Sequence, residues 1–293
     1  MTNTAWIFPG QGSQSIGMGV DLQETEIGQQ RYQQAESILG WSVVERCEGD
    51  LATLSRTLYT QPCLYVISVI LADLLRAQGQ QPVAVAGHSL GEYAALYTAG
   101  VLDFESGLKL VKRRAELMED ASGGKMVALI GFDRAALETQ ISAIPDVVLA
   151  NDNHADQVVI SGAPAAVDAV LAQVKVKRAL PLNVSGAFHS PLMMQAAQDF
   201  GAVLKAVIFQ PAQIPVLANV EPTPTTDAET LQVQLSKQMV GPVRWREICL
   251  KLQEMGVEQV VEVGPGKVLT GLVKRTCPSM GLVNRGSLAD LSH

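Results

Sequence analysis

The segment Gly87-His88-Ser89-Leu90-Gly91 constrains this 293-residue chain more than any other. The apolar run Pro82-Val83-Ala84-Val85-Ala86 precedes it, and the helix-like Glu92-Tyr93-Ala94-Ala95-Leu96-Tyr97 follows. A serine flanked by glycines at a strand-to-helix turn is the setting of a nucleophile elbow, where the hydroxyl is pushed up at the sheet edge. The glycines let neighbouring backbone pass close by and let the turn take dihedrals that a Cβ would oppose. A helix starting directly after the serine aims backbone N–H groups, and the positive end of its dipole, at an oxyanion forming on an attacked carbonyl. Ser89 is read as an acyl-accepting nucleophile. The alternative is a Gly-Ser turn that merely starts a helix.

Strand-like runs alternate with helical patterns through the first part of the chain, beginning with Thr4 to Phe8. That alternation predicts an α/β fold with a mostly parallel, hydrolase-like sheet flanked by helices. Thr60-Gln61-Pro62 is expected to open a helix, with an N-cap threonine and a proline in the first turn, and Gly79 to close it. Phe104 to Ala121 reads as an amphipathic helix with Leu108, Val111, Ala115 and Met118 at helical spacing. After Ser122-Gly123-Gly124 the texture changes to a compact strand-helix-strand-strand-helix-strand series, the order of a ferredoxin-like βαββαβ unit. The parent pattern then resumes with a helix from Pro191 to Lys205, a strand near Pro215 to Asn219, a helix from Pro242 to Met255 and a strand from Val257 to Val263. The expected division is a large catalytic subdomain of residues 1–123 and 187–293, and a small inserted subdomain of residues 124–186. Glu221 to Thr225, with its two prolines, reads as an exposed loop.

Composition narrows the function. A net charge of −7 argues against nucleic acid as the main partner, since phosphate binding needs a basic face. Cys47, Cys63, Cys249 and Cys277 lack ligand or disulfide-frame spacing, so no metal site is expected and a reducing, cytoplasmic setting is the simpler reading. The N-terminus shows no signal-peptide pattern. The apolar stretch from Cys63 to Leu75 is interrupted by Asp73, reads as too short to span a bilayer, and is expected to be a buried helix.

An activated serine needs a base, and four histidines are available. His88 adjoins the nucleophile and should point away from it, His154 falls in an expected turn of the small subdomain, and His293 is terminal. His189, where the chain re-enters the large subdomain, remains as the base. A hydrolase-type triad would also want an acid between Ser89 and His189, but Asp146, Asp152 and Asp156 all lie in the inserted segment and none is assigned. A backbone or amide carbonyl is the alternative way to orient the imidazole.

Taken together, Phe8-Pro9-Gly10-Gln11-Gly12-Ser13-Gln14, Thr60-Gln61-Pro62, the Gly87 to Tyr93 elbow, Ala187-Phe188-His189-Ser190-Pro191-Leu192 and Glu262 to Leu269 occur in one order from residue 7 to about 275. In this the chain resembles the malonyl-CoA:acyl-carrier-protein transacylases of type II fatty-acid synthesis and, more distantly, polyketide-synthase acyltransferase domains. The resemblance implies Ser89 as the acylated nucleophile and His189 as general base. It implies an oxyanion hole from the backbone N–H groups of Leu90 and Gln11, and a carbonyl at Gln238 that holds the histidine. It also implies Arg114 as the partner of malonate's free carboxylate. For Lys112, Arg113 and Arg114 alone, a solvated helix face is the plainer reading; only the resemblance singles out Arg114. Phe188 matches relatives that select malonyl over methylmalonyl groups, and a core phenylalanine is its competing reading. Gly264-Pro265-Gly266 lacks Walker spacing and reads as a structural turn.

The implied reaction is ping-pong transfer of a malonyl group from malonyl-CoA to the phosphopantetheine thiol of holo acyl-carrier protein, with no metal or redox cofactor. A monomer without nucleic-acid or membrane partners is expected. Lys175, Lys177, Arg178, Arg244, Arg246, Lys274 and Arg275 are candidates for contacting CoA phosphates or an acidic carrier protein. Asn151 to Gln157 departs from relatives, which commonly have small or glycine-containing residues there, and His154 and Asp156 are expected at the cleft rim. A serine esterase or thioesterase and a non-catalytic carrier-binding subunit are the rival functions.

Overall fold

A computed structural model describes residues 2–292, which leaves His293 outside the described residues. In chain order the elements are β1 (Thr4–Phe8), α1 (Glu26–Leu39), α2 (Val43–Glu48), α3 (Leu51–Leu54), α4 (Thr57–Ala77), β2 (Ala84–Gly87), α5 (Gly91–Thr98), α6 (Phe104–Asp120), β3 (Lys125–Phe132), α7 (Arg134–Ala143), β4 (Val147–His154), β5 (Gln157–Gly162), α8 (Pro164–Gln173) and β6 (Val176–Pro181). They continue with α9 (Met194–Leu204), β7 (Val216–Leu217), α10 (Ala228–Gln238), α11 (Trp245–Glu254), β8 (Gln259–Val263), α12 (Val268–Thr276) and β9 (Gly281–Arg285).

Strands β7-β2-β1-β8-β9 form a five-stranded sheet, and every pairing in it is parallel. Parallel strands need crossover helices, so both faces of this sheet are covered and its central strands β1 and β2 are predominantly apolar. One face packs on the cluster containing Trp6, Phe8, Val85 and most of α4; the other packs Ile7, Ala86 and Val260 against Trp245 and Leu252 of α11 and Leu269 of α12. In such sheets ligands sit beyond the carboxyl ends of the strands, where the strand order reverses. Here that place is the end of β1 and β2, just before Gln11 and Ser89.

The second sheet, β4-β5-β3-β6, is antiparallel and has its own core of Val127, Leu129, Leu137, Val158, Ile160, Val167 and Val170 under α7 and α8. Its strand order is that of a ferredoxin-like unit. Gly124 abuts the Ala187 backbone and Gly186 abuts Ala121, so the two connections to the parallel sheet run side by side. A parallel bridge between Asn151 and Val243 ties β4 to the segment before α11.

Several local expectations are revised. Helix α4 starts at Thr57, three residues before the expected N-cap Thr60, and Pro62 lies inside it. A carboxylate from another helix supplies the cap: Glu119 on α6 accepts the Leu58 N–H at 3.3 Å and pairs with Arg56 at 2.8 Å. Such a tertiary cap leaves no local signal. At 21 residues α4 is long and apolar enough to cross a bilayer, contrary to the shorter expectation, yet 78% of its apolar window is buried among the other helices. The segment from Pro191 begins as a 3-10 turn, Pro191–Met193, before α9. Strand β4, with bulges after Leu149 and Asp152, runs on to His154, so His154 ends a strand rather than occupying a turn. The Glu221 to Thr225 loop is exposed only at Glu221 and Thr223; Pro222 is buried, and Pro224 and Thr225 are half-buried.

Candidate active site

Ser89 lies two residues past the end of β2 and takes φ 50°, a left-handed conformation that is costly for a residue with a Cβ. The flanking glycines serve close approach rather than unusual dihedrals. A Cβ on Gly87 would strike the Gly91 carbonyl, and one on Gly91 would strike the Phe8 carbonyl at the end of β1. The elbow is thus pressed against the neighbouring strand, and its hydroxyl is left pointing into the cleft.

His189 meets that hydroxyl: its Nε2 lies 2.8 Å from Ser89 Oγ. Its Nδ1 faces two carbonyls, Gln238 at 2.9 Å and Gly241 at 3.1 Å, and its backbone N–H donates to the Met239 carbonyl. These carbonyls belong to the end of α10 and the turn after it, groups that a helix end leaves without intrahelical partners. Two acceptors on Nδ1 place the proton there, so Nε2 is free to accept from the serine hydroxyl. No acid is needed to fix the tautomer. Asp152 instead pairs with Arg134 at 2.8 Å, and Asp146 sits in a turn with φ 63°.

Arg114, on the inner face of α6, is 1% exposed. Its Nη2 donates to Ser89 Oγ at 2.9 Å and to Gln238 Oε1 at 3.1 Å, and its Nη1 donates to Gln61 Oε1 at 2.7 Å. Its Nε is buried without a partner among the described residues. Arg113, by contrast, pairs with Glu116, and Lys112 reaches the Ile38 carbonyl across to α1. Gln238 therefore works twice, its main chain holding His189 and its side chain holding Arg114.

Burial first, and then the Arg114 cation, pull the His189 imidazole down to about 3. Burial likewise pushes the Glu92 carboxyl up to about 7, against the hydrogen bonds it accepts from Gln238 Nε2 at 2.8 Å and the Asn219 backbone at 3.0 Å. A neutral imidazole beside a hydroxyl and a fixed guanidinium is suited to proton removal as negative charge grows on oxygen.

A cavity of about 80 Å³ is lined by Gln11, Gln61, Ser89, Leu90, Arg114, Phe188 and His189, with Met118, Met126, Leu182 and Val184 supplying apolar wall. It adjoins a second hollow of about 200 Å³ between the two sheets, which shares Gln11, His88, Asn151 and Leu182. A larger hollow, about 1150 Å³, is an open groove between α1 and α6 that contains none of these groups. Gln11 sends its side chain to Thr57 at 3.2 Å, and the backbone N–H groups of Gln11 and Leu90 have no partner among the described residues. Phe188 is both core residue and cavity wall.

His88 turns away from the serine, with Nε2 2.9 Å from Asn153 Oδ1 and its ring against Trp245. His154 is buried and accepts the Asp156 N–H at 3.2 Å, while Asp156 is exposed in the hairpin turn. Of the basic candidates, Lys175, Lys177 and Arg178 are exposed on or beside the edge strand β6, and Lys274 and Arg275 are exposed in the last turn of α12. Arg244 and Arg246 are engaged with Glu247 and Asp152. Among the described residues no metal-binding cluster is present, and all four cysteines are free and buried.

Sequence reasoning did not assign Gln61, Glu92, Asn219 and Gly241. Gln61 and Glu92 had a signal, each being a polar residue within an otherwise apolar helix. Asn219 and the Gly241 carbonyl had none.

A parallel α/β sheet whose elbow serine meets a carbonyl-oriented histidine defines a serine-nucleophile protein of acyl-transfer type. Comparison with known proteins narrows this: residues 5–291 match the acyl transferase domain family. A malonyl CoA-acyl carrier protein transacylase of Synechocystis sp. is 60% identical over 99% of both chains. The crystal structure of the Synechocystis malonyl-CoA:ACP transacylase superposes with a TM-score of 0.98 at 59% identity, covering 100% of this chain and 99% of that one. A malonyl-transacylase solved in complex with a type II polyketide-synthase acyl-carrier protein gives 0.94 at 37% identity, over 99% and 98% of the two chains. The chain belongs to the malonyl-CoA:acyl-carrier-protein transacylase family of acyltransferases.

Proposed function

We propose that this protein transfers the malonyl group of malonyl-CoA to the phosphopantetheine thiol of holo acyl-carrier protein, for fatty-acid synthesis, through a malonyl ester on Ser89. The observation that carries the reading is the convergence on Ser89 Oγ of His189 Nε2 at 2.8 Å and Arg114 Nη2 at 2.9 Å inside one small cavity. A hydrolase needs the first contact; a buried cation beside the nucleophile suits an acyl group that carries its own carboxylate.

In the first half-reaction His189 Nε2 takes the Ser89 proton as Oγ attacks the thioester carbonyl. The resulting oxyanion is received by the N–H groups of Leu90 and Gln11. Collapse expels the CoA sulfur, which takes the proton back from the imidazolium. In the second half His189 accepts the carrier thiol's proton, the sulfur attacks the malonyl ester, and Oγ leaves protonated. The imidazolium formed in each half faces the carbonyls that end α10, the negative end of its dipole. Arg114 binds the malonyl carboxylate, its Nη2 exchanging Ser89 Oγ for the carboxylate. Phe188 limits room at the α-carbon. An acyl group lacking the charge leaves a buried guanidinium unpaired, so selection combines attraction with penalty.

Residues 124–186 are read as a discrete subdomain roofing the site, a division supported by their separate sheet and core. The exposed basic residues of β6 and α12 are candidates for contacting the carrier or the CoA phosphates. We read the protein as a cytoplasmic monomer, in keeping with its buried free thiols. The test is incubation with malonyl-CoA and purified carrier protein in holo and apo forms: malonyl transfer to the holo form alone supports the reading, and release of free malonate with no carrier product contradicts it.

A further inference from the structure

Asn219 follows β7, has no exposed surface, and every polar group it owns is engaged. Its side-chain Oδ1 accepts the Ser89 N–H at 2.7 Å, and its Nδ2 donates to the Gly87 carbonyl at 2.6 Å. One planar amide therefore spans the elbow, gripping the residue before His88 and the residue after it. Its own backbone N–H donates to Glu92 Oε2 at 3.0 Å, and its carbonyl accepts the Arg244 N–H at 3.0 Å. Glu92 Oε2 also receives Gln238 Nε2, and that same Nε2 donates to the Ser89 carbonyl at 2.9 Å. The elbow is held at its Gly87 carbonyl, Ser89 N–H and Ser89 carbonyl by the side-chain amides of Asn219 and Gln238, two residues that both donate to the buried Glu92 carboxylate, Asn219 through its backbone N–H and Gln238 through Nε2.

We infer that Asn219 is a positioning residue for acyl transfer: its amide holds Ser89 in the left-handed conformation and commits the Ser89 N–H, leaving the Leu90 N–H to face the oxyanion. The inference rests on the acyl-transfer reading above. Ser89 at φ 50° persists only if its surroundings over-determine it, and this amide is the side chain that bonds both sides of the turn. Without it, the elbow loses the acceptor for its half-buried Ser89 N–H and the donor for the buried Gly87 carbonyl. The turn can then relax toward commoner dihedrals, which swings Oγ off the His189 axis. Neither Arg114 nor Gln61 hydrogen-bonds Asn219 among the described residues, so binding of the malonyl carboxylate is expected to survive while acylation slows.

The experiment measures Ser89 acylation by rapid mixing with malonyl-CoA, quenching and intact mass, beside thermal unfolding, for wild type, Asn219→Ala, Asn219→Asp and Leu217→Ala. Leu217 is a buried core residue of β7, so its truncation controls for loss of stability. Expected for Asn219→Ala is an acylation rate at saturating donor lower by about 100-fold with KM within about threefold, while Leu217→Ala keeps the wild-type rate despite a comparable fall in Tm. A folded Asn219→Ala that acylates within threefold of wild type overturns the inference, as does an equal rate loss in Leu217→Ala. Were Asn219→Ala unable to fold, Asn219→Asp carries the test, because it keeps the acceptor for Ser89 N–H but loses the donor to Gly87: a wild-type rate in that variant overturns the clamp, and a rate at least about tenfold lower supports it. A wild-type protein that forms no malonyl adduct overturns the acyl-transfer reading itself, a result distinct from any loss confined to the variants.

Discussion

Ser89 and His189, separated by 100 residues in sequence, meet at 2.8 Å, and both hold left-handed backbone conformations, at φ 50° and φ 58°. Two residues bearing a Cβ in that region mean that strain is placed on both partners of the contact on which the chemistry depends. The surroundings that sustain it are local and identifiable: Asn219 and Gln238 at the elbow, and the carbonyls ending α10 at the histidine.

Strain at Ser89 has a measurable counterpart in stability. Both Ser89→Ala and Ser89→Gly remove the hydroxyl and its contacts with His189 and Arg114, so their difference reports the backbone alone. Ser89→Gly is expected to be the more stable by about 1 kcal/mol in urea unfolding, both being unable to form an acyl-enzyme. Equal stability of the two would mean that the elbow is unstrained.

Arg114→Ala is expected to reduce acylation by malonyl-CoA about 100-fold, the loss of a pair of charge-assisted hydrogen bonds worth about 3 kcal/mol, while acylation by acetyl-CoA stays within about threefold. The malonyl-to-acetyl ratio from rapid-quench rates is the readout. Equal losses for both donors would show that Arg114 serves Ser89 rather than the substrate carboxylate.

The pH dependence follows from His189, whose folded value of about 3 lies below that of a free histidine because of burial and Arg114. Proton removal fails only when the imidazole is protonated, so the rate falls as pH drops through the folded value. Acylation by acetyl-CoA, which brings no carboxylate to neutralise Arg114, should hold nearly constant from about pH 7.5 to about pH 5, where an ordinary histidine would lose most of its activity. Arg114→Ala removes the neighbouring cation and should move the acid limb toward higher pH. A wild-type limb centred near 6.5 would contradict the assignment.

Glu92 titrates in the opposite sense. Its folded value of about 7 lies above the ordinary carboxylate value of 4.5, so the folded state binds the proton more tightly. Its contribution to stability is complete below about 4.5 and is lost as pH rises through about 7. Glu92→Gln, which cannot ionise, should therefore gain on wild type across that window by up to about 3 kcal/mol in unfolding free energy, with a flat difference at lower pH. A constant difference throughout would place the burial cost elsewhere.

What could be read from sequence was what local pattern encodes. The elbow, the amphipathic α6 and the βαββαβ order all depend on residues within a few positions of one another. His189 came by elimination among four histidines, and Arg114, Gln11, Leu90, Gln238 and Phe188 by resemblance. Other features depend on contacts far apart in the chain. The start of α4 is set by Glu119, 61 residues from the N–H it caps, and the elbow is clamped by Asn219, 130 residues from Ser89. Helix α10, whose end orients His189, does carry a signal in its N-cap Asp227 and in Leu231 and Leu235 four residues apart on one face. No comparable pattern marks the Gly241 carbonyl, since a backbone acceptor has no residue type.

The central claim is that Ser89 carries the malonyl group between two thiols. Its most direct test is the intact mass of the enzyme after brief mixing with malonyl-CoA, run beside Ser89→Ala and then chased with holo acyl-carrier protein. The account predicts a single malonyl adduct that requires Ser89, leaves the enzyme on the chase and reappears on the carrier. An adduct that forms on Ser89→Ala, or that decays to water equally fast with and without the carrier, would contradict it.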